Sequence, residues 1–189
     1  MRLKNKTALI TGASSGIGKE TAKLFAKEGA LVILAARHLN KLKIVEKEIT
    51  NSSGKAESYE LNISDRNRVY DVISRIIKDY GRIDILVNSA GLVVWGSIED
   101  CTYKDFDDQV NINLIGNFNC IKEVVPYMIK QKSGSIVNVI TSTVKNTKAG
   151  RVAYAASKYG QAGLSNAVHE DLKNKGISVV AVYPSKTDT

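Results

Sequence analysis

Six short apolar runs, each separated from the next by a stretch of helical periodicity, constrain this chain more than any other feature. They are Thr7–Ile10, Leu31–Ala35, the weaker Ala56–Leu61, Ile83–Val87, Ile136–Ile140 and Ile177–Tyr183. Runs without polar alternation read as strands covered on both faces, as in parallel sheets. Between them, Ile17, Thr21, Leu24 and Phe25 mark a helix over 17–28 closed by Gly29, and Leu39, Leu42, Val45 and Ile49 mark a second. Ser64 is placed to cap a third helix, carrying Val69, Val72, Ile73, Ile76 and Ile77 and ending near Gly81. A long helical stretch covers 105–131, with a kink expected at Pro126, and another covers 154–173. Regular alternation of this kind predicts an α/β fold with a doubly wound parallel sheet between two helical layers. Ligands of such sheets sit at the carboxyl ends of the strands, so the residues just after each strand come first.

After the first strand comes Thr11-Gly12-Ala13-Ser14-Ser15-Gly16-Ile17-Gly18, a glycine-rich turn opening directly into a helix. Glycines let the backbone turn tightly and approach a ligand closely, and the helix start offers free N–H groups to a pyrophosphate. That combination points to a Rossmann-type dinucleotide site within one domain spanning 1–189. After the second strand comes Ala36-Arg37, with no acidic residue to accept from ribose hydroxyls. Arg37 suits a 2′-phosphate instead, which predicts NADP(H) in preference to NAD(H). The amide of Asn62, followed by Ile63, can hydrogen-bond an adenine edge.

Tyr154 and Lys158 stand four residues apart, on one face of the last helix. A phenol titrates near pH 10, and a neighbouring ammonium favours the phenolate. The pair therefore suits proton transfer. Net charge is +8, but the basic residues are spread along the chain, so no nucleic-acid partner is expected. Cys101 and Cys120 lack metal or disulfide spacing, His38 and His169 are isolated, and no apolar run is long enough to span a bilayer. A cytoplasmic protein without a metal or membrane partner is expected.

Together these motifs resemble the short-chain dehydrogenase/reductase family, whose glycine turn reads T-G-x-x-x-G-x-G. Asn88-Ser89-Ala90-Gly91 resembles its N-N-A-G, Ile112-Asn113-Leu114-Ile115-Gly116 its N-L-x-G, and Tyr154-Ala155-Ala156-Ser157-Lys158 its Y-x-A-S-K. The resemblance implies a hydride transfer between NADP(H) and a carbonyl or secondary alcohol. Tyr154 would be the general acid/base, Lys158 would tune it and hold the nicotinamide ribose, and Asn113 would position a relay water. It also implies cofactor contacts from Gly12, Ser14, Ser15, Gly16, Ile17, Gly18, Asn88, Ala90 and Gly91. A hydroxyl should orient the carbonyl: Thr141 has the family's spacing, thirteen residues before the tyrosine, whereas Ser142 has its residue type and is favoured on that ground.

The closing Pro184-Ser185-Lys186-Thr187-Asp188-Thr189 resembles the family's P-G-x-V-x-T, which implies further cofactor contacts from Pro184, Ser185, Thr187 and Thr189. Family members typically continue into a substrate lid and a seventh strand, so the fold is expected to lack both. Trp95, Val93 and Val94 read as core rather than as pocket lining. The resemblance further implies a homodimer or homotetramer. A noncatalytic NADP(H)-binding sensor or scaffold is the alternative function.

Overall fold

The computed structural model describes residues 1–185, so Lys186 to Thr189, and with them the expected contacts of Thr187 and Thr189, lie outside it. Six parallel strands form one sheet in the order β3-β2-β1-β4-β5-β6. They are β1 (Thr7–Thr11), β2 (Leu31–Ala36), β3 (Lys55–Glu60), β4 (Ile85–Asn88), β5 (Gly134–Val139) and β6 (Ile177–Val182). The order runs outward in both directions from β1 and β4, which is the switch point of a doubly wound fold.

Alternation of side chains along each strand assigns the two faces. Ala8 and Ile10 of β1, with Val32 and Leu34 of β2, pack under α1 (Gly16–Lys27) and α2 (Leu39–Asn51) through Ala22, Ala26, Leu42, Val45 and Ile49. Leu9, Ile33, Leu86 and Ile136 face the other way. They meet α3 (Arg66–Tyr80) and α5 (Asn117–Gln131) through Val69, Val72, Ile73, Ile76, Cys120, Ile121, Val124 and Met128. The last helix, α6 (Val152–Leu172), lies on this second face beside β6 and closes its core with Leu172. Two apolar layers, one on each side, explain why β1 and β2 lack polar alternation.

Two local expectations are corrected. Asp65, not Ser64, caps α3: one of its carboxylate oxygens accepts from Asn67 and Arg68 N–H at 3.0 and 3.1 Å. Ser64 is occupied one residue earlier, donating its N–H and its hydroxyl to Asn62 Oδ1 at 3.2 and 2.9 Å. The long stretch over 105–131 also divides in a different place. Helix α5 runs through Pro126 to Gln131, whereas Asn111–Gly116 is a π-turn between α4 (Tyr103–Val110) and α5. A π-turn widens the ring of backbone hydrogen bonds, and here the Asn117 side chain donates to the Asn113 carbonyl at 2.7 Å. Gly116 allows this bulge to lie against Ile63, whose side chain a Cβ would meet at 2.6 Å.

Candidate active site

A cavity of about 390 Å³ opens at the carboxyl ends of the strands, over the switch point. The glycine turn forms one wall through Gly12, Ser14, Ser15, Gly16 and Ile17. Gly12 and Gly16 have φ of +68° and +52°, which glycine adopts without strain. Gly12 also passes so close to the next loop that a Cβ would lie 2.8 Å from Ala90 N. Thr11 fixes that approach, because its Oγ1 accepts from Ser89 and Ala90 N–H, each at 3.2 Å. Gly18 does not reach the cavity; it is buried behind the turn, where a Cβ would collide with the Gly12 carbonyl.

The start of α1 is left open. Ser15, its cap residue, makes no side-chain capping bond, and the first turn carries no acidic residue. Uncapped N–H groups at a helix start form a ready anion site. Arg37 and His38 follow β2 on the same wall, and among the described residues Arg37 makes no ion pair. Asn62, Ile63, Ala90, Gly91, Pro184 and Ser185 complete the part of the predicted cofactor set that lines the cavity. Asn88 is not in that wall. It is fully buried beneath it, where its Nδ2 donates to Asn138 Oδ1 at 2.9 Å, and Asn138 donates in turn to Ser165 Oγ at 3.0 Å.

Helix α6 brings Tyr154 and Lys158 to the far end of the same cavity, and Thr141 lines it from the exit of β5. Ser142 does not line it; its N–H donates to the Pro184 carbonyl at 2.9 Å. Backbone at Thr141 is extended, and a short 3₁₀ turn begins at Ser142. Thr141 also caps that turn, accepting from Thr143 N–H at 3.3 Å.

Asn113 stands behind the cavity wall with no exposed surface. Its Oδ1 accepts from Leu92 N–H at 2.7 Å, and its Nδ2 donates to the Leu92 carbonyl at 2.8 Å and to Ser157 Oγ at 3.0 Å. The side chain is therefore a clamp between the loop after β4, the π-turn and α6.

Lys158 is 5% exposed. Its Nζ donates to the Val139 carbonyl at 3.1 Å and to Gln161 Oε1 at 2.8 Å. Burial disfavours the charged form and pulls its pKa down to about 8. A depressed base pKa has a definite sign in stability. Above pH 10.5 the group is neutral in both states. As pH falls toward 8, only the unfolded chain takes up the proton, so stability drops; below 8 the loss is constant. Replacing Lys158 by Met removes this loss. Relative to the native protein, Lys158→Met should gain about 3 kcal/mol between pH 10.5 and pH 7, which denaturant melts at the two pH values would measure. An unchanged difference would show that the lysine is not desolvated.

Trp95 is not core, nor are Val93 and Val94: all three are exposed, Trp95 at 57%. The indole meets the Tyr154 ring edge-on with centroids 5.4 Å apart, and the Arg151 guanidinium stacks over it at 4.8 Å. Arg151 also donates to Thr143 Oγ1 at 2.9 Å. Gln109 holds this loop by pairing with both Val94 backbone groups at 3.1 Å. Sequence reading overlooked Gln109, Arg151 and Gln161. Only Gln161 had a usable signal, its position three residues after Lys158 on the same helix.

The short chain dehydrogenase family model matches residues 6–189, almost the whole chain. The chain belongs to the short-chain dehydrogenase/reductase family. It is 43% identical to 3-oxoacyl-acyl-carrier-protein reductase FabG of Thermotoga maritima, over all of this chain and 77% of that protein. It is 34% identical to subunit BbsD of (2S)-[(R)-hydroxy(phenyl)methyl]succinyl-CoA dehydrogenase of Thauera aromatica, covering 76% of it. Among solved structures, a metagenomic short-chain oxidoreductase in complex with NADP superposes with a TM-score of 0.94, at 34% identity and over 99% of this chain and 85% of that one. NAD+-bound xylitol dehydrogenase superposes with a TM-score of 0.97, at 28% identity, over 100% and 73%. Membership of the family makes the chain an oxidoreductase with a Rossmann-type fold. Both NADP and NAD+ occur among its structural neighbours. Among the described residues no helix is long and apolar enough to cross a membrane.

Proposed function

We propose that this chain, as one dinucleotide-binding domain, transfers hydride between NADP(H) and a carbonyl or secondary alcohol substrate. The observation that carries the reading is that Tyr154, Lys158 and Thr141 line the same cavity as the glycine turn. The residues fit the cofactor. Gly12 and Gly16 let backbone approach a pyrophosphate at the uncapped start of α1, and Arg37, without an ion-pair partner among the described residues, suits a 2′-phosphate. When bound, the nicotinamide supplies or accepts the hydride.

The chain's own residues then have separable tasks. Thr141 and Tyr154 donate hydrogen bonds to the substrate carbonyl oxygen, and Tyr154 delivers its proton there during reduction. In the reverse direction the Tyr154 phenolate receives the alcohol proton. The Lys158 ammonium favours that phenolate and, by its remaining N–H, holds the nicotinamide ribose. Asn113, with its side chain clamped, can order a relay water only from the π-turn around it. The names of the relatives supply the first substrate to try, a 3-oxoacyl thioester. The exposed Tyr103, Phe106 and Phe118 of α4 and α5 support a homo-oligomer, whose mass sedimentation equilibrium measures.

The test is the absorbance of NADPH mixed with 3-oxoacyl thioesters, ketones, diketones and quinones. Substrate-dependent loss is expected; tight NADPH binding without turnover on any member of the panel would sink the enzyme reading. Arg37→Ala is expected to weaken NADPH binding by about tenfold or more while leaving NADH binding unchanged. An unaltered NADPH/NADH ratio would remove Arg37 from cofactor selection.

A further inference from the structure

The helix turn after Lys158 carries a buried amide that the proposed chemistry does not use. Gln161 is 1% exposed, and its Oε1 accepts from Lys158 Nζ at 2.8 Å. Its Nε2 is buried and finds no partner among the described residues. Leaving a buried N–H₂ group unpaired is costly, and an apolar side chain at this position would avoid the cost. The hydrogen bond to Lys158 is what Gln161 provides in return.

We propose that Gln161 is a positioning residue for Lys158, holding its ammonium so that a single N–H remains for the cavity. A lysine ammonium has three donors. The Val139 carbonyl takes one and Gln161 Oε1 takes another, which leaves one on a residue that lines the cavity. An unbranched amide on α6 can do this because residues three apart lie on one helix face. Without Gln161, the ammonium would be held by one fixed acceptor and free to rotate about it.

The groups around Lys158 Nζ allow the effect on proton binding to be assigned. They are the Val139 carbonyl from β5, Gln161 on α6, and Asn113 Oδ1 beside Gly91, where a Cβ would sit 3.3 Å from that oxygen and 3.8 Å from Nζ; Tyr154, one turn earlier on α6, lines the same cavity. The Val139 carbonyl and the Gln161 and Asn113 amides carry no charge, and among the described residues no carboxylate pairs with Lys158. A neutral acceptor at hydrogen-bond distance favours the charged form. Its loss therefore lowers the Lys158 pKa.

The inference rests on the proposed function for its catalytic meaning but not for its test. Protein labelled with ¹³C at lysine Cε is titrated by NMR, with the Lys158 resonance assigned from the Lys158→Arg spectrum. In Gln161→Leu the Lys158 midpoint should fall by about one pH unit, a tenfold weaker proton affinity. Gln161→Met, which keeps the length of the side chain, should do the same if the leucine variant fails to fold. Gln161→Glu restores an acceptor and adds charge, so its midpoint should rise above the native one. A Lys158 midpoint unchanged in both variants would overturn the proposal. Absence of turnover in the native protein would count against the proposed function alone, because the NMR midpoint still decides the role of Gln161.

Discussion

Tyr154→Phe should lower kcat/KM for NADPH-dependent carbonyl reduction by about 10²–10⁴-fold, the range expected for removing a general acid. The substitution deletes one hydroxyl and keeps the ring, so the edge-on contact with Trp95 at 5.4 Å survives. Among the described residues the Tyr154 hydroxyl makes no hydrogen bond, and its backbone carbonyl, which accepts from Ser157 Oγ at 2.8 Å, is untouched. NADPH affinity and thermal midpoint should therefore stay near native values. Steady-state kinetics with the best substrate of the panel, paired with a fluorescence titration of NADPH, separates the two effects. A phenylalanine variant retaining more than about a tenth of native activity would mean that another group delivers the proton.

A second large effect is expected from Gly18→Ala. A Cβ there would lie 2.8 Å from the Gly12 carbonyl carbon and closer still to its oxygen, both main-chain atoms that cannot rotate away. The turn must open, and opening it moves Gly12 off Ala90 and spoils the wall of the cavity built from both. We predict at least about a hundredfold weaker NADPH binding and a destabilisation of about 1–3 kcal/mol, typical of forcing atoms into a close-packed region. The control lies in α6: a Cβ on Gly163 meets nothing within 4 Å. Gly163→Ala should be neutral or should stabilise by about 0.5–1 kcal/mol, the usual gain for alanine over glycine inside a helix. Equal melting temperatures and equal NADPH affinities for the two variants would refute the packing argument at Gly18.

The elements were legible in the sequence where local chemistry repeats. Continuous runs such as Leu31–Ala35 read as strands covered on both faces, and α2 showed its buried stripe as Leu42, Val45 and Ile49. Boundaries that depend on competition between neighbours were not. Ser64 and Asp65 are both good caps, and only the turn at Asn62, which engages Ser64, decides for Asp65. Proline at position 126 looked like the place where the long helix bends. The break at Asn111–Gly116 has no comparable local signature, because it follows from packing on Ile63 and from a side-chain bond made by Asn117.

The site divides in the same way. Each conspicuous motif is a stretch of adjacent residues; strand-end position brings the glycine turn, Arg37 and Asn62 to one rim, and the start of α6 adds Tyr154 and Lys158. Side-chain direction within a motif is not written in its letters. Thr141 and Ser142 are adjacent and chemically alike, yet the chain turns between them and only Thr141 lines the cavity. Asn88 and Asn113 carry motif positions but spend their side chains on buried bracing. Trp95 is apolar by composition and still lies in the open, because it packs on Tyr154 and Arg151 rather than under a layer.

What the sequence determined by itself was the α/β alternation, the family and the set of residues gathered at one end of the sheet. Those follow from periodicity and from short contiguous motifs, which are local properties of the chain. What only the tertiary structure decided was which of those side chains reach the cavity, which lie behind it, and that Gln161 holds Lys158. These depend on contacts between residues far apart in the chain or on the orientation of one side chain among close-packed neighbours, and a linear pattern carries neither.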